Sequence, residues 1–268
     1  MDTVEVDGLR IAYQRAGKGP PLVLLHGFIV DSRVWRRQLE DLSRDFDVIA
    51  WDAPGCGQSS DPREDFSLAE FADCLSGLLD SVGVSSADLL GLSCGGTMAM
   101  EFNRRQPDRV RSLILADTYA GWTGSLGEEA AAQRLARCLR ESELPAQEWL
   151  PQWVPDAFSS AAPKELLDEC ASIMSGFHPV GFRAMSRALA PDFRELLPLI
   201  NVPTLLIWGE DDKRSPLKAG RAMCDSIRGA RLTVIPGAGH VSNMEQPERF
   251  NAAVREFVRA TIKGGCGA

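Results

Sequence analysis

The stretch Asp88-Leu89-Leu90-Gly91-Leu92-Ser93-Cys94-Gly95-Gly96-Thr97 decides the fold of this chain. An apolar run ends at Leu92, and a helix-like run from Thr97 to Arg105 follows, with Ser93 at the junction. A G-x-S-x-G pattern alone arises by chance in roughly one chain in ten of this length, so its context carries the weight. Glycines stand two residues to either side of the serine. A tight strand-to-helix turn forces the central residue into a strained backbone conformation, and side chains at 91 and 95 would collide across it. The same turn directs the N–H of Cys94 toward Ser93 Oγ, at the positive end of the next helix. The competing reading is a plain glycine-rich turn.

Working outward, short apolar runs alternate with longer amphipathic ones. Strands are expected at Leu22 to His26, Val48 to Asp52, Asp88 to Leu92, Arg111 to Ala116, Thr204 to Trp208 and Arg231 to Ile235. Each is apolar nearly throughout, as strands of a parallel sheet covered on both faces are. Helical spacing recurs at Trp35, Leu39 and Leu42, and again at Leu68, Phe71, Leu75, Leu78 and Leu79, where Ser67 and Glu70 form a capping-box pattern. A last helix is expected from about Pro247 to Ile262. Val4 to Val6 and Leu9 to Ala16, joined by Asp7-Gly8, read as an edge hairpin. The alternation predicts an α/β fold with a doubly wound, mostly parallel sheet.

Residues 119–189 break this rhythm. They offer helix-like pieces punctuated by Pro145, Pro151, Pro155, Pro163 and Pro179, and they carry Trp122, Trp149, Trp153, Phe158, Phe177 and Phe182. The expected organisation is a core of residues 1–118 and 190–268 with a helical cap, 119–189, inserted over the site. Trp122, Trp149, Trp153 and Phe177 are the expected substrate contacts, since ligand sites favour such junctions. The tail Gly264 to Gly267 is expected to fray.

Composition narrows the function. A net charge of −8 over 268 residues argues against nucleic acid as partner. Arg104-Arg105 and the stretch from Arg134 to Arg140 read as solvated helix faces. Seven scattered cysteines without a C-x-x-C pair suggest reduced thiols rather than disulfides or zinc. Three histidines without H-E-x-x-H speak against a metal, and no cofactor is expected. No apolar run long enough to span a bilayer and no signal-peptide pattern is seen, so a cytoplasmic enzyme without stable membrane association is expected.

A serine hydroxyl needs a base. His240, in Pro236-Gly237-Ala238-Gly239-His240, is the candidate, while His178 reads as packing. The acid that orients the base is sought near Trp208-Gly209-Glu210-Asp211-Asp212. Asp212 and Asp211 are the candidates there, and Asp117 at the end of another strand is a third.

Across nearly its whole length the chain resembles the α/β-hydrolase superfamily, in its serine esterase and enol-lactonase-like branch. The resemblance rests on the Ser93 motif, on His26-Gly27-Phe28, on Asp52 to Ser59, on Gly209-Glu210-Asp211-Asp212 with Pro216, and on Gly239 to Glu248. It implies Ser93, Asp212 and His240 as catalytic triad, and the N–H groups of Phe28 and Cys94 as oxyanion hole. It also implies a structural role for His26 and a pocket-shaping role for the 52–59 loop. The implied activity is hydrolysis of a carboxylic ester or lactone of a small to medium, largely apolar substrate. Related scaffolds run C–C bond hydrolysis, or cofactor-free haloperoxidase and perhydrolase chemistry, whose pattern usually carries tryptophan at the position of Phe28. A ligand receptor with a vestigial pocket is the alternative of another class.

Overall fold

The computed structural model describes residues 1–265. Eight strands form one sheet: β1 (Asp2–Val6), β2 (Leu9–Ala16), β3 (Pro21–Leu25), β4 (Asp47–Trp51), β5 (Ala87–Leu92), β6 (Val110–Ala116), β7 (Thr204–Gly209) and β8 (Arg231–Ile235). Their order is β1-β2-β4-β3-β5-β6-β7-β8. The β1–β2 hairpin joins β4 antiparallel, and every pair from β4 to β8 is parallel. Every residue of β4, β5 and β7 is buried, which is why these runs show no polar alternation. The expected strands are all present, with ends displaced by a residue or two. β3 stops at Leu25, and the ring of the next residue, His26, accepts a backbone N–H of the neighbouring loop.

The helices of the sheet layers are α1 (Arg36–Leu42), α2 (Leu68–Ser81) and α3 (Cys94–Arg105), with three more, α9 (Leu217–Ser226), α10 (Ser242–Glu245) and α11 (Pro247–Gly265), after β7. α1 packs on α11 and α2 on α3, with helices on both faces of the sheet. Ser67 opens α2 with a capping box: its Oγ accepts the Glu70 N–H, and the Glu70 carboxylate accepts the Ser67 N–H at 2.8 Å. α11 runs through Gly265, so residues 264–265, expected to fray, are helical; residues 266–268 lie outside the described residues.

Between neighbouring strands β6 and β7 the chain inserts no strand but five α-helices, α4 (Trp122–Leu126), α5 (Glu128–Glu141), α6 (Ala146–Asp156), α7 (Lys164–Met174) and α8 (Pro179–Leu189), followed by a short 3-10 helix (Arg194–Leu199). The prolines are not all punctuation here. Pro145 and Pro163 stand just before α6 and α7, and Pro179 opens α8, where a missing N–H costs nothing. Pro151 and Pro155, however, lie inside α6. That helix is held by what it buries, since Trp149 and Trp153 join Phe177 and Phe182 in an aromatic cluster with centroid spacings of 5.0 to 6.2 Å. Ion pairs fasten these helices to the sheet layers, as Arg37 to Glu169 at 2.7 Å and Arg183 to Glu64 at 2.5 Å.

Candidate active site

Ser93 directly follows β5, beside β3, where the sheet order reverses direction. Crevices at that end of parallel strands are where open α/β sheets bind ligands. Its backbone sits at φ 53° and ψ −119°, a conformation that costs on the order of 1–3 kcal/mol and persists only when over-determined by neighbours. Here the Ser93 N–H donates to the Ala116 carbonyl at 2.8 Å, and the Ser93 carbonyl accepts from Gly96 N–H at 2.9 Å and from the Thr118 hydroxyl. A Cβ at Gly91 would overlap the Gly95 backbone, and one at Gly95 would overlap the Leu25 carbonyl. Both glycines are steric requirements of the turn.

His240 arrives from the loop between β8 and α10. Its N-terminal neighbour Gly239 lies against the Phe158 backbone too closely for any side chain, and Val241 N–H bonds the Ala157 carbonyl at 3.2 Å. Its Nδ1–H donates to Asp212 Oδ2 at 2.9 Å, which leaves Nε2 to accept the Ser93 hydroxyl, also at 2.9 Å. All three residues are buried, at 7 % exposure or less. Asp212 Oδ1 is held in turn by the N–H groups of Arg214 and Ser215, each at 2.8 Å.

The other two carboxylates weighed for this place lie elsewhere. Asp211 is exposed. Asp117 is fully buried but accepts from Gly209 N–H at 2.7 Å and from Ser242 Oγ at 2.5 Å, not from His240. Burial first, and the nearby Asp212 charge second, push the Asp117 carboxyl well above the usual aspartate range.

Phe28 and Cys94 flank Ser93. Cys94 is the first residue of α3, whose opening N–H groups have no carbonyl within the helix to bond. The Cys94 thiol points away, toward the His26 carbonyl at 3.6 Å, and burial drives its ionisation far up. His26 fastens the loop: its Nδ1 lies 2.8 Å from the Gly27 carbonyl, and Nε2 accepts Ala53 N–H at 2.9 Å. His178 does not reach the triad; its ring bridges Asp61 and the Gly57 carbonyl.

A cavity of about 20 Å³ opens on Ser93 and His240, with walls from Phe28, Val30, Leu92, Met174 and Val241 among others. Two further wall residues were not singled out from the sequence, Arg134 and Arg214. Arg134 was read as part of a solvated helix face; its guanidinium instead rests 5.3 Å from the Tyr119 ring and 4.7 Å from the Trp122 ring. The four aromatics expected to touch substrate stand one layer back. Trp122 and Trp153 pack against Phe28, Trp149 packs behind Trp153, and Phe177 lines a second cavity of about 10 Å³ together with Phe28, Gly55, Cys56 and Gly57. The 52–59 loop therefore borders this neighbouring cavity rather than the one at Ser93. Among the described residues no group of three or more His, Cys, Asp or Glu side chains is placed to hold a metal ion.

The model of the alpha/beta hydrolase family matches residues 22–253. This chain belongs to that family. The alpha/beta hydrolase is 28% identical over 263 residues to 3-oxoadipate enol-lactonase 2 of Acinetobacter baylyi, covering 96% of each chain. It is 32% identical over 272 residues to a 2-hydroxy-6-oxononadienedioate/2-hydroxy-6-oxononatrienedioate hydrolase of Burkholderia vietnamiensis, covering 94% of this chain and 91% of the relative. Among solved structures it resembles a thermophilic esterase of Thermogutta terrifontis with a TM-score of 0.89 and 32% identity, covering 97% of both chains. In this hydrolase no helix among the described residues is long and apolar enough to cross a membrane.

Proposed function

We propose that this alpha/beta hydrolase cleaves a carboxylic ester or lactone through an acyl-enzyme on Ser93. The observation that carries the reading is the unbroken chain Ser93 Oγ, His240 Nε2, His240 Nδ1, Asp212 Oδ2, with 2.9 Å at each hydrogen bond, standing on a strained turn. As Ser93 Oγ bonds the carbonyl carbon, its proton passes to His240 Nε2, and the charge that develops on the carbonyl oxygen faces the N–H groups of Phe28 and Cys94. The bond to the leaving oxygen then breaks as His240 returns the proton to it. Water, deprotonated by the same imidazole, releases the acid and restores Ser93. Asp212 keeps the ring in the required tautomer and faces the imidazolium as it forms.

The helices of residues 119–189 act as the cap in this reading, supplying Met174, Ala157 and Arg134 to the cavity over Ser93. Substrates are small to medium in size, bound mainly by apolar walls. The similarity to an enol-lactonase and to an esterase supports oxygen-ester chemistry. The six cysteines described are unpaired, which supports a reducing, cytoplasmic setting.

A panel of p-nitrophenyl esters, simple lactones and 1,5-diketones with purified protein tests the proposal. Turnover of esters or lactones is expected, together with fluorophosphonate labelling that is lost in Ser93→Ala. Turnover confined to the diketones would replace it by C–C bond hydrolysis on the same residues, and labelling at no residue would remove the nucleophile.

A further inference from the structure

Arg134 and Arg214 come from distant parts of the chain, the helix α5 and the loop after β7, and both reach the wall of the cavity that holds Ser93 and His240. Among the described residues, neither guanidinium has a carboxylate within 4.0 Å. Their neighbours show that this is not a general shortage of acids. Arg137, one turn along α5 from Arg134, is paired with Glu141 at 2.8 Å. What the two arginines have instead are aromatic faces and neutral oxygens. Arg134 lies over Tyr119 and Trp122 and meets the Tyr119 hydroxyl at 3.4 Å. Arg214 lies 5.0 Å over Trp153 and donates to the Trp153 carbonyl.

Two like charges on the wall of one small cavity, each only half-buried, repel one another unless an anion joins them. Burial, followed by the charge of Arg134, lowers the Arg214 guanidinium below the ordinary arginine value, so the two sense one another. Stacking on indole and phenol rings holds a cation without neutralising it. Of the other walls, Phe28, Val30, Leu92, Met174 and Val241 are apolar, and Ser93, His240 and the Cys170 thiol bring no carboxylate to the cavity.

We propose that Arg134 and Arg214 form an anion subsite beside Ser93 for a carboxylate carried by the substrate, so that the preferred esters or lactones are acidic. Planar guanidinium forks on the wall of a narrow cavity match the two coplanar oxygens of a carboxylate. The substrate is then apolar along its body and charged at one end. The turnover arm of the proposal rests on the reading of Ser93 as nucleophile; the binding arm does not.

The test uses two isosteric pairs that put the carboxylate on either side of the scissile bond. These are mono-p-nitrophenyl glutarate against p-nitrophenyl 5-methylhexanoate, and 4-acetoxybenzoate against 4-isopropylphenyl acetate. In at least one pair the acid should exceed the neutral ester in kcat/KM by about tenfold or more, the scale of one charge-assisted hydrogen bond. Arg134→Gln and Arg214→Gln should each reduce that ratio by about the same factor, and the lysine variants should restore part of it. Variants in which both members of each pair decline together would assign the guanidiniums to the transition state at large and overturn the subsite. In parallel, glutarate binding is measured by calorimetry on Ser93→Ala protein, with Arg214→Gln added as control. Binding that the second substitution abolishes is the expected result. Turnover of neutral esters without acid preference in either pair, and without glutarate binding, would overturn the subsite and leave the hydrolase reading intact. Glutarate binding with no ester or lactone turned over would overturn the hydrolase reading and leave the subsite standing.

Discussion

Asp117 and Asp212 follow neighbouring strands at the same end of the sheet, yet only Asp212 touches His240, with Oδ2 2.9 Å from Nδ1. Asp117 accepts from the Gly209 backbone and from Ser242, the first residue of α10, just past the histidine loop. The two carboxylates thus hold different parts of one construction, the imidazole itself and the backbone that delivers it.

Asp212→Asn is expected to lower kcat by about three to four orders of magnitude, because an amide that donates to Nδ1 traps the wrong tautomer. Asp117→Asn keeps an acceptor for Gly209 N–H and is expected to cost less than about tenfold, the scale of a lost neutral hydrogen bond. Steady-state kinetics on the best ester of the panel compares them. A crippled Asp117→Asn beside a tolerant Asp212→Asn would reverse the assignment.

The same Asp117 gives a pH dependence of stability. Its folded-state ionisation is raised by burial and by Asp212, whereas the unfolded chain ionises it near about 3.9. Its contribution to stability is complete below the unfolded value and is lost as pH rises toward the folded value. Asp117→Asn has no such loss. The stability of the variant relative to the parent should therefore climb above pH ~4, by up to about 1.4 kcal/mol per pH unit within the window. Urea midpoints measured from pH 4 to 8 check this; a difference independent of pH would refute it.

Gly95→Ala should destabilise the protein by about 3 kcal/mol or more and abolish fluorophosphonate labelling, since the added methyl meets the rigid Leu25 carbonyl rather than a flexible side chain. Urea denaturation and labelling read the two effects. A variant that labels normally at full stability would show that the turn has room to spare.

Glu245 links the histidine loop to the segment after α6. Its carboxylate accepts Gly239 N–H at 2.8 Å and both the N–H and the hydroxyl of Ser159. Glu245→Ala should lower kcat about tenfold, with KM changed less, and should speed amide exchange at Gly239 and Ser159 as their partner is removed. Unaltered exchange at both amides would disprove the link.

Much of this molecule was readable in its linear order. The sheet was, because strands buried on both faces leave uninterrupted apolar runs such as Leu89-Leu90 and Leu205-Leu206-Ile207. So was the turn at Ser93, because Gly91 is required by the backbone of Gly95 and Gly96 only a few residues on, although the contact that requires Gly95, the Leu25 carbonyl, comes from another strand. The interior of α6 was not: Pro151 and Pro155 mark helix ends by local rules, and only the cluster of Trp149, Trp153, Phe177 and Phe182 keeps the helix continuous through them. Arg134 was misread for a related reason. A charged residue on an amphipathic helix normally faces water, and nothing within α5 indicates that Tyr119 and Trp122 stand opposite.

What the sequence by itself determined is therefore the architecture and the serine turn, both governed by short-range sterics and by strong, periodic burial. What only the tertiary structure decided is which acid reaches the imidazole and which cations lack a counter-charge. Those outcomes depend on side chains tens of residues apart meeting within a few ångströms, as Trp153 meets Arg214 and Asp212 meets His240. Electrostatic interactions fall off with distance and grow with burial, and both quantities exist only once the chain is folded.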